Sequence, residues 1–284
     1  MPELPELEVV REVLQRRVVG LTPAQVQIIP PGGPIVARDL THRVFEGTLA
    51  GKRISGVARR GKFLVLTFDD AQPLFLAINP KLTGRLQLAN PSDKRAAKTH
   101  MLMTFAGGQQ LRYLDQKQMG QLYLTHDLES VPEYSGLGPE PLEITLEAFR
   151  ERLKPFRGEI KGILTRGQFV AGIGNAYADE ILWTARLHPY RKRTQLTSEE
   201  VDRLYAAMRS TLAEAVDKVR LEMQEDIHLK PRDFMAVHMK TGEPCPRCGT
   251  PISLVGANQR ITNFCRTCQP GGLIKGMSQA RVSG

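Results

Sequence analysis

The chain opens on a helical pattern. Across residues 6–19 the apolar positions Val9, Val10, Val13, Leu14 and Val18 recur close to every 3.6 residues. Pro5 stands near the first turn, where its missing N–H costs nothing. Between Ile54 and Leu124 the period shortens. Residues 63–68, 74–78, 85–88, 101–105 and 121–124 are short apolar or alternating runs, parted by Gly, Asp, Asn and Pro. Short strands at regular intervals predict a sandwich or barrel. The Pro/Gly-rich stretch 134–142 then reads as a linker. Beyond it, residues 145–153, 160–170, 176–187 and 198 to roughly Met223 fit amphipathic helices. Thr197 with Glu200 three residues on is a capping-box signature for the last of them. A small cysteine-bearing module closes the chain, and no internal repeat is present.

Composition narrows the choice of partner. Hydrophobic residues at 41% and charged residues at 24% are ordinary for a globular protein of 284 residues. The balance of 39 Lys and Arg against 30 acids, a net +9, points to a polyanion, with DNA or RNA ahead of a membrane surface. Glu3, Glu6 and Glu8 make the N-terminus acidic where a signal peptide is basic, and no long apolar run follows. A cytoplasmic, reducing setting is therefore expected, and the four cysteines are not read as disulfides.

Four local features carry chemistry. Cys245-Pro246-Arg247-Cys248 and Cys265-Arg266-Thr267-Cys268 are two C-x-x-C knuckles at the spacing of a four-thiolate zinc site. One structural zinc is expected, since a module this small has too little core to hold itself together. Gly172-Ile173-Gly174-Asn175 lies between two helical segments. Its glycines permit a tight turn, and the next helix begins at once, so its leading N–H groups suit a phosphate. A plain helix-capping turn is the blander alternative. Arg59-Arg60-Gly61-Lys62 enters a strand, and standing alone it would be a solvated basic face. Finally, removal of Met1 would leave Pro2 as a secondary amine, partly unprotonated near neutrality and able to attack a sugar carbon.

Taken together, these features occur in the order of one family. Met1-Pro2-Glu3-Leu4-Pro5-Glu6, the Lys62 strand, Leu137-Gly138-Pro139-Glu140-Pro141-Leu142, the run from Val170 through Gly172, Gly174 and Asn175 to Asp179-Glu180, and the cysteine knuckles resemble the formamidopyrimidine-DNA glycosylase/endonuclease VIII family, nearest its formamidopyrimidine branch. The resemblance runs essentially end to end. It implies an α+β multidomain fold: an N-terminal catalytic β-sandwich with a leading helix (1–133), a helix-two-turn-helix DNA-binding domain (134–236), a zinc finger (237–272) and a tail (273–284).

The resemblance also implies a bifunctional glycosylase and AP lyase of base-excision repair. It would act as a monomer on duplex DNA bearing damaged bases or abasic sites, with no membrane association. Pro2 is then the Schiff-base nucleophile and Glu3 the acid that assists sugar opening or protonates the leaving group. Lys62 is the proton-transfer residue of β-elimination, and Arg260 the finger residue of δ-elimination. Lys161 and Asn175 match phosphate contacts, Lys98 and Arg157 fall at further DNA-contact positions, and Glu6 lies near the damage pocket.

The sequence departs from the family where damage is read. Leu82, Lys117 and Met119 stand at the void-filling positions usually held by Met, Arg and Phe, with Lys117 also counted among the DNA contacts. Asn79 replaces a phosphate-binding His, and the segment after Arg232 is short where a longer loop usually closes over 8-oxoguanine. Weak excision of 8-oxoguanine is the expectation. Two rival readings are a non-catalytic binder of lesions or abasic sites, marked by loss of Pro2, Glu3 or Lys62, and a zinc-ribbon scaffold, which would leave the N-terminal motif unexplained.

Overall fold

The computed structural model describes residues 1–256 and 261–271. The leading helix α1 (Leu4–Arg17) starts two residues before the periodic pattern, because the Glu6 carboxylate turns back to accept the N–H of Glu3 at 2.8 Å. After it come β1 (Pro23–Ile28), the single turn α2 (Gly33–Val36), β2 (Ala37–Asp39), the short α3 (Phe45–Leu49) and then β3 (Ile54–Arg60) to β9 (Gln121–Thr125). The strands form two sheets, β1-β7-β8-β6 and β2-β9-β5-β4-β3. Every pairing in them is antiparallel except β2 with β9.

The sheets face each other across one apolar layer. Met101, Met103, Leu111 and Tyr113 of β7 (Thr99–Phe105) and β8 (Gln110–Asp115) pack in one cluster with Leu64, Leu66, Leu76 and Ile78 of β4 (Phe63–Phe68) and β5 (Leu74–Asn79). Strand β4 is buried on both sides, which explains its unbroken apolar run. Phe63 and Val65 face away from the sandwich onto Val131, with Tyr134 and Leu137 packed against them. Residues 134–142 therefore do not form a free linker. They are a packed strap, with the Tyr134 ring set edge-on to Phe63 at 5.3 Å.

The strap also explains why the helix expected across 160–170 stops early. Helix α5 (Ile160–Leu164) ends at Thr165, and the following backbone turns to pair with the strap. Gly167 accepts from the N–H of Gly138 at 2.7 Å, and Ala171 donates to Pro139 at 3.0 Å. Gly138 is required for this approach, because a Cβ there would lie 2.5 Å from the Phe169 carbonyl oxygen. Helices α5 and α6 (Asn175–Thr184) with their intervening turns make a helix-two-turn-helix unit. Helix α4 (Leu146–Leu153) and the long α7 (Ser198–Met223) complete it, and the expected Thr197/Glu200 capping box is present.

Helix α7 packs on α1, so sandwich and helical unit share one continuous core rather than meeting as separate bodies. On its surface Arg220 forks onto Glu12 at 2.9 Å through both Nε and Nη2. The finger carries a two-stranded hairpin, β10 (Ser253–Val255) with β11 (Thr262–Phe264). Among the described residues no helix is long and apolar enough to cross a membrane.

Candidate active site

The Gly172–Asn175 turn ends where α6 begins, and the group at that helix N-terminus is a carboxylate of the protein itself. Glu3, 2% exposed, accepts the N–H of Gly174 at 2.6 Å, of Ala176 at 3.1 Å and of Tyr177 at 3.3 Å. The positive end of α6 thus holds a side chain where the sequence suggested phosphate. Both glycines serve that approach. Gly172 has φ +86°, and a Cβ on it would lie 2.9 Å from Leu4 Cβ; one on Gly174 would lie 2.5 Å from the Glu3 carboxyl carbon. Burial opposes the charge on Glu3, but Lys62, Arg232 and the α6 N–H groups outweigh it and hold its pKa below the usual carboxylate value. Glu3 is therefore a carboxylate at neutral pH.

Lys62 sits on the two-residue turn between β3 and β4, where Gly61 adopts φ +56°. The strap fixes this turn through Glu140, which accepts the Gly61 N–H at 2.6 Å and pairs with Arg59 at 2.6 Å and Arg60 at 3.5 Å. Arg59 is held from its other side by Glu8 at 2.6 Å. The basic cluster is thus internally paired, and Lys62 is the member that lines the cleft. Burial lowers the Lys62 pKa, opposed by Glu3 and reinforced by Arg232, so its ammonium gives up a proton more readily than a surface lysine does.

Glu6 and Arg232 complete the corner. Glu6 accepts from Arg232 Nε at 2.9 Å and from the Tyr177 hydroxyl at 3.3 Å. Arg232 lies over the Tyr177 ring, 5.5 Å from its centroid, with Nη2 3.7 Å from Glu3 and 3.0 Å from the Met1 carbonyl oxygen. Burial lowers the Met1 amine to about 4, with Lys230, Arg232 and Arg85 adding to the effect. Pro2 is buried on one wall of an apolar recess shared with Leu7, Leu64, Ile78 and Leu86. Sequence reading placed Arg232 only as the edge of a short loop. Its single signal was a lone arginine in a segment otherwise judged by length.

An open cleft of about 930 Å³ lies before these groups, bordered by Glu3, Lys62, Leu82, Asn175, Arg232 and Met239. The residues expected to grip or fill DNA divide around it. Asn175 and Leu82 line the cleft. Lys98, Lys117 and Arg157 are exposed on the surface, as is Met119 at 46%. Leu82 and the pair Lys117 and Met119 stand on two neighbouring loops joined through Asp115. That carboxylate takes the Thr83 hydroxyl and the N–H groups of Lys117 at 3.2 Å and Gly120 at 2.7 Å. Asn79 is buried, and its carbonyl accepts the Lys81 N–H at 3.3 Å, so it serves the turn rather than a phosphate.

Lys161 does not fit its expected role. It is buried, and its three ammonium donors are engaged by Asp179 at 2.7 Å, the Ile261 carbonyl at 2.9 Å and the Thr262 hydroxyl at 2.8 Å. It ties the helical unit to the finger and keeps no donor for a phosphate. Asp179 extends the tie to His238 at 2.9 Å and the Asn263 N–H at 3.2 Å. The adjacent Glu180 accepts the three N–H groups of residues 236–238 at 2.8–2.9 Å.

In the finger, all four cysteine sulfurs lie within 4.8 Å of one another. A tetrahedral zinc with Zn–S of about 2.3 Å separates its sulfurs by about 3.8 Å. Cys245 and Cys268 are 3.9 Å apart and Cys248 and Cys265 3.5 Å, so the set fits one structural zinc. Trp183 of α6 braces it, its indole N–H donating to Cys245 at 3.4 Å while Arg247 stacks 4.0 Å from its ring centroid. Arg260 lies outside the described residues.

A nine-stranded sandwich, a helix-two-turn-helix unit and a zinc finger around one cleft define a class of three-module DNA-repair protein. Family comparisons match it in each part: the formamidopyrimidine-DNA glycosylase N-terminal domain over residues 1–122, its H2TH domain over 137–225, and a zinc finger found in FPG and IleRS over 242–271. A formamidopyrimidine-DNA glycosylase of Pelotomaculum thermopropionicum is 36% identical, the match covering 95% of this chain and 99% of the relative. Lactococcus lactis Fpg in complex with DNA containing an abasic site superposes with a TM-score of 0.83 at 31% identity, covering 95% of this chain and all of that one. MutM in complex with DNA containing carbocyclic 8-oxo-G gives the same TM-score, identity and coverage. The chain belongs to the formamidopyrimidine-DNA glycosylase family.

Proposed function

We propose that the protein is a bifunctional DNA glycosylase and AP lyase of base-excision repair, acting on duplex DNA with damaged bases or abasic sites. The observation that carries this reading is the seating of Glu3, the neighbour of Pro2, on the α6 N-terminus in a cleft that Lys62 also borders. The target nucleotide leaves the stack, since its C1′ is hidden within a duplex. With Met1 removed, the Pro2 amine attacks C1′. Glu3, held as a carboxylate at the outset by its lowered pKa, takes the proton released from nitrogen and returns it to the opening sugar oxygen. On a damaged nucleotide the C1′–base bond then breaks, the base leaving with a proton from solvent as the Pro2 lone pair closes the iminium. The iminium draws electrons from C2′, and Lys62 transfers the protons of β-elimination. Arg260 serves δ-elimination.

Asn175, Lys98, Lys117 and Arg157 hold phosphates around the cleft, and Leu82, Lys117 and Met119 enter the space the nucleotide vacates. Lys117 lacks the planar fork of arginine, Met119 offers no ring to stack, and Arg232 and Met239 occupy the short segment where a base-covering loop would stand. We infer efficient cleavage at abasic sites, reasonable excision of ring-opened purines or oxidised pyrimidines, and slow release of 8-oxoguanine with little dependence on the opposite base. Borohydride trapping on abasic-site DNA tests the core of the reading. A protein–DNA adduct mapping to Pro2, and lost when Met1 is retained, supports it; equal trapping with a blocked N-terminus moves the nucleophile to a lysine.

A further inference from the structure

The N-terminal peptide bond places a carbonyl where the covalent intermediate would place a sugar carbon. In the unprocessed chain Pro2 nitrogen is bonded to the planar carbonyl carbon of Met1. In the iminium the same nitrogen would be bonded to planar C1′. The Met1 carbonyl oxygen therefore marks the place of an oxygen carried on C1′, and Arg232 Nη2 donates to it at 3.0 Å. Nε satisfies Glu6 at 2.9 Å, and Nη2 stands 3.7 Å from Glu3 while its hydrogen bond goes to the Met1 carbonyl.

From this geometry we propose that Arg232 is a catalytic residue whose guanidinium stabilises the oxygen on C1′ while Pro2 attacks. The proposal rests on the glycosylase/lyase reading above. On an open-chain abasic site the step balances as follows. The Pro2 lone pair forms the N–C1′ bond, and the carbonyl π pair moves onto oxygen, where Arg232 donates to the developing charge. The proton lost from nitrogen passes through Glu3 to that oxygen, giving a carbinolamine. A further proton from solvent lets the C1′–O bond break as water leaves, and the nitrogen lone pair closes the iminium. Arg232 gains and loses no proton.

The surroundings suit such a donor. Glu6 and the Tyr177 ring hold the guanidinium on two sides, and a half-buried position makes its field stronger than it would be in water. Glu3, Glu6, Lys62, Arg85, Lys230 and Arg232 surround the N-terminal residues, and Lys230, Arg232 and Arg85 add to burial in lowering the Met1 amine. After processing, the Arg232 cation would act on the Pro2 nitrogen in the same direction.

The test uses the processed full-length, zinc-loaded protein with Arg232→Ala and Arg232→Gln. Borohydride trapping is followed under single turnover on abasic-site DNA across pH, and affinity is measured separately on a duplex with tetrahydrofuran at the lesion, which cannot react. Loss of one such donor commonly slows a reaction about 10²–10³-fold. We expect a fall of about that size in trapping rate, with near-normal tetrahydrofuran affinity and zinc content. The rise of rate with pH should also move to higher pH, because the amine loses a repelling cation. Trapping at the wild-type rate with an unmoved profile overturns the proposal, as does a loss that only parallels lost affinity in both variants. If wild-type protein itself fails to trap, the glycosylase/lyase reading fails instead.

Discussion

The corner around Glu3 and the rim around Asp115 are built on opposite plans. In the corner, charges are buried and answered several times over: Glu3 by three N–H groups and two cations, Glu6 by Arg232, Tyr177 and its own helix, Glu140 by the Lys62 turn. Those groups come from α1, α6, the strap, the β3–β4 turn and the segment at Arg232. In the rim one carboxylate, Asp115, organises two loops whose tips stay half-buried or exposed. Loop tips tolerate change because little packs on them. The residues proposed for the chemistry sit in the corner, and those proposed to read the lesion sit on the rim.

The largest effect should come from the corner. Glu3→Gln should lower excision of intact damaged bases about 10²–10⁴-fold, the usual contribution of a proton-transfer group, while preformed abasic sites are still cut. Unchanged base release in single-turnover assays would break the comparison at its centre. The same carboxylate sets an acid limit. A depressed folded-state pKa gives stability that is complete above the unfolded value of about 4.3 and is lost as pH falls through the folded value. Unfolding titrations below pH 5 should show that loss in wild type and less of it in Glu3→Gln.

The finger stands between the two plans. Cys268→Ser should release the zinc and weaken DNA binding, since metal binding supplies the folding of so small a module. Arg260→Ala should spare the fold, reduce the salt dependence of log affinity by about 0.9, the slope for one phosphate contact, and shift products from δ- toward β-elimination. Full affinity in a metal-free preparation would refute this. On the rim, Asp115→Asn should cost about 1–3 kcal/mol in denaturant unfolding, because buried donors lose a charged acceptor. The smallest effect is expected for Lys117→Arg with Met119→Phe. A stacking ring should add about 1 kcal/mol of opposite-base discrimination, read from excision opposite each of the four bases. No change would show that the rim does not read the opposite strand.

The sequence made the elements legible wherever a period or cap was strong. The strands at 63–68 and 121–124, the capping box at Thr197 and the cysteine knuckles all needed only local information. Strands β1 and β8 escaped because Gln25, Gln27, Gln110 and Arg112 interrupt their apolar pattern, and the buried Arg112 is received by the carbonyls of Asn90, Asp93 and Lys94 and by the Gln110 side chain. The strap looked like a linker because Pro and Gly signal turns without saying whether the turns are packed. Lys161 looked like a phosphate ligand because a lysine's sequence position does not reveal a buried Asp179 beneath it. The Gly172–Gly174 turn was legible as an anion site, but its occupant lies 171 residues away along the chain.

That separation has a consequence for how the protein is made. Pro2 and Glu3 leave the ribosome first, yet the α6 N–H groups that seat Glu3 and the arginine that reaches Met1 are among the later residues synthesised. Domains tend to fold in order of their emergence. A nascent or truncated sandwich therefore carries its nucleophile with no seat for the neighbouring carboxylate. A fragment that ends before the segment following α7 also lacks the arginine that reaches Met1.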